Sequence, residues 1–425
     1  VTAGFLIVAL LALLLLRVPI AISLGLSAIL TMLLFAEQSL VALAQRFFSA
    51  LQVYPLLAIP FFILAGALMT TGGVAKRMIA FANSLVGHFR GGLAMAALLA
   101  CALFAAVSGS SPATVVAVGS IMIAGMARSG YTREFAAGLI CNAGTLGILI
   151  PPSIVMVVYG AVTETSIGDL FIAGVVPGLM LTGMLMIAVA FLARRLDLPR
   201  QPRADWRTVW KTGRDAIWGL LLIVIILGGI YSGVFTPTEA AAVSAVYAFI
   251  IAVFVYGDLR LREIPKVVAD AAKTTAMLMF IIGNAYLFAF VLTTEQVPQA
   301  MSQWVTDLGA PPWAFLIMLN LLLLVAGMFM EATSVVLIFA PIMFPIATAL
   351  GIDPIHLGII MTVNMEIGMV TPPVGLNLFV TSGISGLPLT KVVRAASPWL
   401  IVLLAALIIV TYVPWVSLVL PRALD

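Results

Sequence analysis

Charge is scarce in this sequence: 9% of its 425 residues are Asp, Glu, Lys or Arg, against roughly a quarter in an ordinary soluble domain. Hydrophobic residues make up 63% and the mean hydropathy is +1.21. A soluble globular chain is thereby excluded, and a polytopic membrane protein is indicated. Cysteine is nearly absent. Cys101 and Cys141 both fall in apolar runs, so neither a disulfide framework nor a metal site is expected from them. The two histidines, His88 and His356, sit near loop ends without metal-ligand spacing. No Gly-x-x-x-x-Gly-Lys-Ser/Thr phosphate loop occurs, nor a soluble stretch to hold one, which excludes ATP hydrolysis by this chain. Strand-like alternation is missing as well. The apolar runs, roughly 16 to 25 residues each, therefore read as helical spans rather than barrel strands. Val1–Leu16 has no basic leader, so no cleaved signal peptide is expected.

What is present is a duplication. Pro151-Pro152 and Pro372-Pro373 each interrupt a long apolar stretch, and they are offset by 221 positions. Gly130 and Gly351, Gly147 and Gly368, and Pro177 and Pro398 share that offset. Paired broken helices in corresponding positions of two halves point to a transporter's substrate and ion site. Unwound backbone at membrane depth is tolerated only where protein or a cavity surrounds it.

The net charge of +4 is confined to a few loops and reads as topology, not as affinity for nucleic acid. Seven of the 21 basic residues lie between Arg194 and Arg214. A second cluster holds Arg260, Arg262, Lys266 and Lys273. Two apolar runs, Ala216–Gly233 and Glu239–Tyr256, separate the clusters, so both can be cytoplasmic. The first hairpin-like segment, about 92–127, is flanked by Lys76, Arg77, Arg90, Arg128 and Arg133. The second, about 313–350, is flanked by Glu295, Asp307 and Asp353, and no Lys or Arg occurs between Lys273 and Lys391. The two repeats are therefore expected to be inverted relative to each other. Residues near Ala75–His88 and Arg262–Lys273 carry charge on one face, as interfacial helices or as plain cytoplasmic connectors would. Thr236-Pro237-Thr238-Glu239 reads as a helix start with a capping box.

The first hairpin tip reads Ser108-Gly109-Ser110-Ser111-Pro112-Ala113-Thr114, rich in hard oxygen donors of the kind an alkali cation needs. From Gly91 to Ala127 the chain runs 37 residues, too long for one span, so a membrane-embedded hairpin is expected. The second tip, Gly327–Ser334, carries Glu331. An ionisable group at that depth is a functional candidate; it can pair with a cation, be protonated, or cap a broken helix. The interrupted spans read Asn142-Ala143-Gly144-Thr145-Leu146-Gly147 into Pro151-Pro152-Ser153, and Asn364–Thr371 into Pro372-Pro373, Gly375 and Asn377. Proline frees upstream carbonyls to coordinate Na⁺, and the following half-helices point positive ends at an anion; the same polar residues can also glue helices together. No Lys or Arg lies between Glu134 and Leu192. An anion bound at these motifs meets no arginine from them, which makes Na⁺ coupling the expected source of positive field.

At these motifs the chain resembles the large membrane subunit of tripartite ATP-independent periplasmic (TRAP) transporters. The segments that carry the resemblance are Ile59–Gly66, Gly72–Met78, Ala102–Gly119, Gly147–Gly160, Phe235–Phe249, Gly327–Ile342 and Asn364–Val380; their wording looks like the C4-dicarboxylate branch. The resemblance implies an all-α membrane protein with an inverted repeat, two re-entrant hairpins and two Pro-Pro broken helices, arranged as an elevator with scaffold and transport parts. The implied division is 1–90 scaffold and interfacial arm, 91–193 first transport unit (broken helix about 135–165), and 194–273 basic loop, two spans and a second arm. Residues 274–312 would be a scaffold span with a periplasmic loop, and 313–425 the second transport unit (broken helix about 355–386). Implied partners are a separate small four-helix membrane subunit and a periplasmic substrate-binding protein. Together they would import an organic acid with Na⁺ across the bacterial inner membrane. By motif, one Na⁺ site would use Ser108, Ser111, Gly144, Gly147 and Pro151, and the other Gly327, Thr333, Gly368 and Thr371. Substrate would meet Ser110, Ser111, Pro112, Thr145, Pro152, Ser153, Glu331, Pro373 and Asn377. The alternative is a stand-alone Na⁺–carboxylate symporter of similar design, which would need no binding protein; no nucleophile–base pair supports an enzyme.

Overall fold

A computed structural model describes residues 2–16, 18–35, 40–307, 309 and 311–424. Among these residues there is no strand, and ten helical segments are long and apolar enough to cross a membrane. The chain opens with α1 (Thr2–Leu15), α2 (Ile20–Phe35) and α3 (Leu40–Ala50), then a 3₁₀ turn at Tyr54–Leu57 leads into α4 (Ala58–Thr71). The next helix, α5 (Val74–Val86), buries Val74, Ala75, Met78, Ile79 and Ala82 and leaves Lys76 exposed. That spacing puts all five on one helical face.

Two helices, α6 (Gly92–Ser108) and α7 (Ser111–Arg128), pack against each other as a hairpin. The tip reverses at Gly109, whose φ of 62° is left-handed and whose missing Cβ would stand 2.8 Å from the Pro152 carbonyl oxygen. Only glycine meets both demands. The span that follows is broken: α8 (Arg133–Ala143), the single turn α9 (Leu146–Leu149), non-helical backbone at 150–153, then α10 (Ile154–Thr163). After α11 (Ile167–Arg195) come α12 (Trp206–Tyr231), α13 (Pro237–Ile250) with a π-helical turn at Ile251–Val255, α14 (Ile264–Thr294) and α15 (Val297–Asp307).

The second hairpin pairs α16 (Pro312–Phe329) with α17 (Ala332–Ala349). No glycine stands at the reversal itself; Met330 and Glu331 turn the chain in extended conformation. The second broken span runs from α18 (Pro354–Gly368) through non-helical 369–375 to α19 (Leu376–Ser385). Helices α20 (Leu389–Tyr412) and α21 (Trp415–Leu424) close the fold. Both proline doublets thus sit in real interruptions, and both Pro-Pro bonds are cis.

Two sequence readings need correction. Arg207, Lys211 and Arg214 lie in the first turns of α12, not in a loop, because Asp205 caps that helix by accepting from the Thr208 amide at 3.1 Å. The segment Arg262–Lys273 is not a separate arm. From Ile264 onward it is the start of α14, which continues unbroken past residue 273. The capping box at Thr236 is present: the Glu239 amide donates to the Thr236 hydroxyl, and the Glu239 carboxylate accepts from the Thr236 amide at 2.8 Å.

Segments rich in basic residues gather at one end. Arg77 pairs with Asp258 and lies over the Tyr256 ring, 3.7 Å from its centroid. Asn83 donates to Gln201 at 2.9 Å, and the Gly91 amide to the Pro199 carbonyl at 3.3 Å. Lys391, in the first turn of α20, pairs with Glu134 at 3.6 Å. At the other end of α20, the Tyr412 hydroxyl donates to the Trp313 carbonyl at 3.4 Å, beside the base of the second hairpin. Helices α4 and α13 meet through small side chains: Ala58 and Ala65 on one, Ala240, Ala241, Ala245 and Ala248 on the other, all buried. Such residues let apolar helices approach closely enough for dispersion to hold them.

Candidate functional site

A cavity of about 730 Å³ lies where the two hairpin tips approach one another. Its wall takes Ser108, Gly109, Ser110, Ser111 and Pro112 from the first tip, and Glu331, Ala332 and Thr333 from the second. Ile148, Ile154 and Val155 flank it from the first break, Met369 and Leu376 from the second. The opposite wall is α4, through Ile63, Gly66, Ala67, Thr70 and Thr71, and the early turns of α14, through Asp270 and Thr274. Among the described residues no Lys, Arg or His lines it.

The first tip is wired to the first break. The Ser108 and Thr114 hydroxyls lie 2.8 Å apart, and Thr114 donates to the Ser110 carbonyl at 2.9 Å. The Ile154 amide, at the start of α10, donates to the Gly109 carbonyl at 3.4 Å. Gly147 backs this arrangement: a Cβ there would stand 2.5 Å from the Ser110 carbonyl oxygen and 2.7 Å from the Thr114 hydroxyl. At Gly144 the missing Cβ is replaced by Val115, whose methyl carbon fills the space. Pro152 withholds the amide that Ile148 would take in a continuous helix, and the Ser153 hydroxyl donates there instead, at 2.6 Å. Pro151 likewise denies a donor to the Gly147 carbonyl, leaving an oxygen of the kind a cation ligand requires.

The second half repeats the pattern with different atoms. Gly327 and Gly368 face each other, and a Cβ on Gly368 would lie 2.7 Å from the Gly327 Cα. The Val374 amide donates to the Met328 carbonyl at 3.0 Å, the counterpart of the Ile154 bond. Glu331 caps α17, accepting from the Ser334 amide at 3.2 Å and from the Thr333 hydroxyl at 2.8 Å. Thr371 donates to the Ile367 carbonyl at 2.6 Å. The capping option for Glu331 is therefore realised, and the same carboxylate also lines the cavity. Glu331→Ala should destabilise the protein by about 1 kcal/mol, the worth of an N-cap, read as a lowered thermal midpoint.

The sequence-derived substrate residues divide. Ser110, Ser111, Pro112 and Glu331 reach the cavity wall; Thr145, Pro152, Ser153, Pro373 and Asn377 are not part of it. Asn377 is buried and donates to the Ser111 hydroxyl at 2.7 Å and the Cys141 carbonyl at 3.2 Å, tying the second break to the first half. Thr145 is also fully buried, its proton given to the Asn142 carbonyl at 2.7 Å. Among the proposed cation ligands, Ser108, Ser111 and Thr333 lie at the wall, while Gly144, Gly147, Pro151, Gly327, Gly368 and Thr371 stand behind it. Sequence reading passed over Thr114, one turn from Ser110, and Gly66, whose Cβ would lie 3.1 Å from the Ser108 carbonyl. It also left Glu366 without a role, although it stands beside the second break. A spacing of four from the tip serine was the available signal for Thr114.

Comparison with known proteins places this architecture. Residues 7–416 match the family model described as tripartite ATP-independent periplasmic transporter, DctM component. A Pseudomonas aeruginosa protein named C4-dicarboxylate TRAP transporter large permease protein DctM is 66% identical over 400 residues, covering 94% of each chain. The Vibrio cholerae protein of the same name is 58% identical over 428 residues, covering 96% of this chain and 94% of its own. Two solved structures share the fold at low identity. The Alcanivorax borkumensis YdaH transporter has a TM-score of 0.62 at 16% identity, covering 89% of this chain and 88% of its own. Neisseria gonorrhoeae MtrF has a TM-score of 0.63 at 12% identity, covering 89% and 85%. The chain belongs to the DctM component family of tripartite ATP-independent periplasmic transporters: it is a large permease subunit, a transporter component and not an enzyme.

Proposed function

We propose that this subunit imports an organic acid, a C4-dicarboxylate, together with Na⁺ across the bacterial inner membrane. It takes its cargo from a periplasmic substrate-binding protein and works with a small four-helix membrane subunit. The observation that carries this reading is the convergence of both hairpin tips on one cavity whose largely apolar wall is dotted with Ser and Thr hydroxyls and, among the described residues, holds no basic side chain. Only cations and helix dipoles can supply the field that holds a dianion there. The names of the Pseudomonas aeruginosa and Vibrio cholerae relatives favour the C4-dicarboxylate choice. A relative 36% identical is named for sialic acid instead, in keeping with selection of the acid by the binding protein.

Inversion of the two repeats is supported by their bases, which lie by opposite ends of α20: Glu134, just beyond the first hairpin, beside Lys391, and Trp313 of the second beside Tyr412. The clustered basic segments then mark the cytoplasmic side. The cavity reaches α4 and α14 next to Thr71 and Asp270, close to those segments, so this conformation opens inward. An elevator motion would carry the tips and breaks past α4 and α14 as one body, since hydrogen bonds join tip to break in each half.

Reconstitution tests the reading. Proteoliposomes holding this chain and its small subunit, supplied with the loaded binding protein, should concentrate labelled succinate only under an inward Na⁺ gradient. Full-rate uptake without Na⁺, or without the binding protein, would overturn it.

A further inference from the structure

Glu366 is wholly buried in α18, and neither of its carboxylate oxygens has a hydrogen-bond partner. The Thr145 hydroxyl lies beside the carboxylate but spends its proton on the Asn142 carbonyl, 2.7 Å away. What it turns toward Glu366 is an oxygen lone pair. Asn142 lies three residues earlier, at the end of α8, and its amide oxygen is also buried without a donor, its nitrogen being occupied by the Gly138 and Ala396 carbonyls. Three side-chain oxygens beside the two breaks, both of Glu366 and that of Asn142, are thus buried without a donor, the reverse of how a buried carboxylate is ordinarily satisfied.

No nearby cation resolves the arrangement. Helices α9, α10, α16 and α17, which pack on α18, contain no Lys, Arg or His. The basic residues of α11 and α20 lie in terminal turns, as Arg194, Arg195, Lys391 and Arg394, and Lys391 already pairs with Glu134. His356 stands ten residues away along α18, about 15 Å, with its ring held by Ser417 and the Thr411 carbonyl; Asp353 caps the start of that helix. Arg422, on α21, lies in that helix's last turn. A buried ionised carboxylate without partner or counter-charge is strongly unfavourable.

We infer that Glu366 is the anionic ligand of a further monovalent-cation site, completed by the oxygens of Thr145 and Asn142. One carboxylate with neutral oxygens suits a single positive charge, whereas Ca²⁺ needs six to eight ligands and several carboxylates. The site uses none of the ligands assigned by motif, although Thr145 lies between Gly144 and Gly147 in the chain. Two residues on a helix turn the side chain about 200°, so Glu366 faces away from the Gly327–Gly368 contact. Glu366, Thr145 and Asn142 do not line the cavity between the tips. The inference rests on the proposed Na⁺ coupling and adds one cation to it.

The purified complex with its small subunit tests this by equilibrium binding of ²²Na⁺. Wild type should bind one more Na⁺ per chain than E366Q, and reversal potentials in proteoliposomes should show one charge fewer per succinate for E366Q. An equal, non-zero Na⁺ count in the two proteins would overturn the inference while leaving Na⁺ coupling intact; no Na⁺ binding by wild type would instead sink the coupling itself. An unchanged count with one transported proton lost in E366Q would assign the carboxylate to a proton and overturn the cation. If E366Q does not assemble, T145V is read the same way: losing one neutral ligand should raise the half-saturating Na⁺ of one site about tenfold, and unaltered binding would reject the site.

Discussion

Gly147→Leu should abolish uptake, lowering it at least about 10²-fold, while the protein still folds, inserts and assembles with its small subunit. A Cβ at this position would stand 2.5 Å from the Ser110 carbonyl oxygen and 2.7 Å from its carbon. Both are main-chain atoms of the hairpin tip, so no rotamer change relieves the contact. The tip must withdraw from the break, and misplacement of a bound cargo by about 1 Å is enough for a loss of that size. Gly147 is buried inside the chain, so the substitution does not directly alter a surface on which a partner subunit could assemble. Wild-type uptake by this variant would remove the first tip from the transport path.

Gly368→Val should have the corresponding effect in the second half, with a different signature. Here the Cβ would meet the Gly327 Cα, carbon and oxygen at 2.7, 2.8 and 2.9 Å, prising α16 from α18. Uptake should again fall about 10²-fold or more. Stabilisation by Na⁺, read as the rise of thermal midpoint with Na⁺ concentration, should weaken because Gly327, Thr333, Gly368 and Thr371 are the proposed ligands. Overpacking also destabilises, by about 1–3 kcal/mol, so the midpoint without Na⁺ should drop as well. An unchanged Na⁺ response would separate this glycine pair from ion binding.

The framework of the fold was legible because it is written in long-range regularities. An offset of 221 positions predicts that Gly147 and Gly368 play matching parts, and each does back the tip of its own hairpin. Proline doublets predict interruptions because a missing amide is a local fact, and both interruptions are present. Which side chains line the cavity was less legible. Ser110 and Ser153 look equivalent in sequence, but Ser153 turns inward to replace the donor that Pro152 lacks. Rotation about a helix and competition for a freed carbonyl decide such cases, and neither is a property of spacing alone. The reach of α12 and α14 into basic segments was missed for a related reason. Charged residues were read as loop before α12 and as a separate interfacial helix or connector before α14, whereas a helix at the membrane surface carries them on its first turns.

Among the described residues the cavity wall has two acidic residues, Asp270 and Glu331, and no base, Lys273 pairing with Asp270 from outside the wall. On the proposed Na⁺ coupling, such a chamber would turn an anion away while vacant, so the guests would have to queue: sodium first, then the acid. The rule also runs backwards. Once sodium slipped into the cytoplasm, the wall that had sheltered the dianion would drive it out, and unloading would need no separate push.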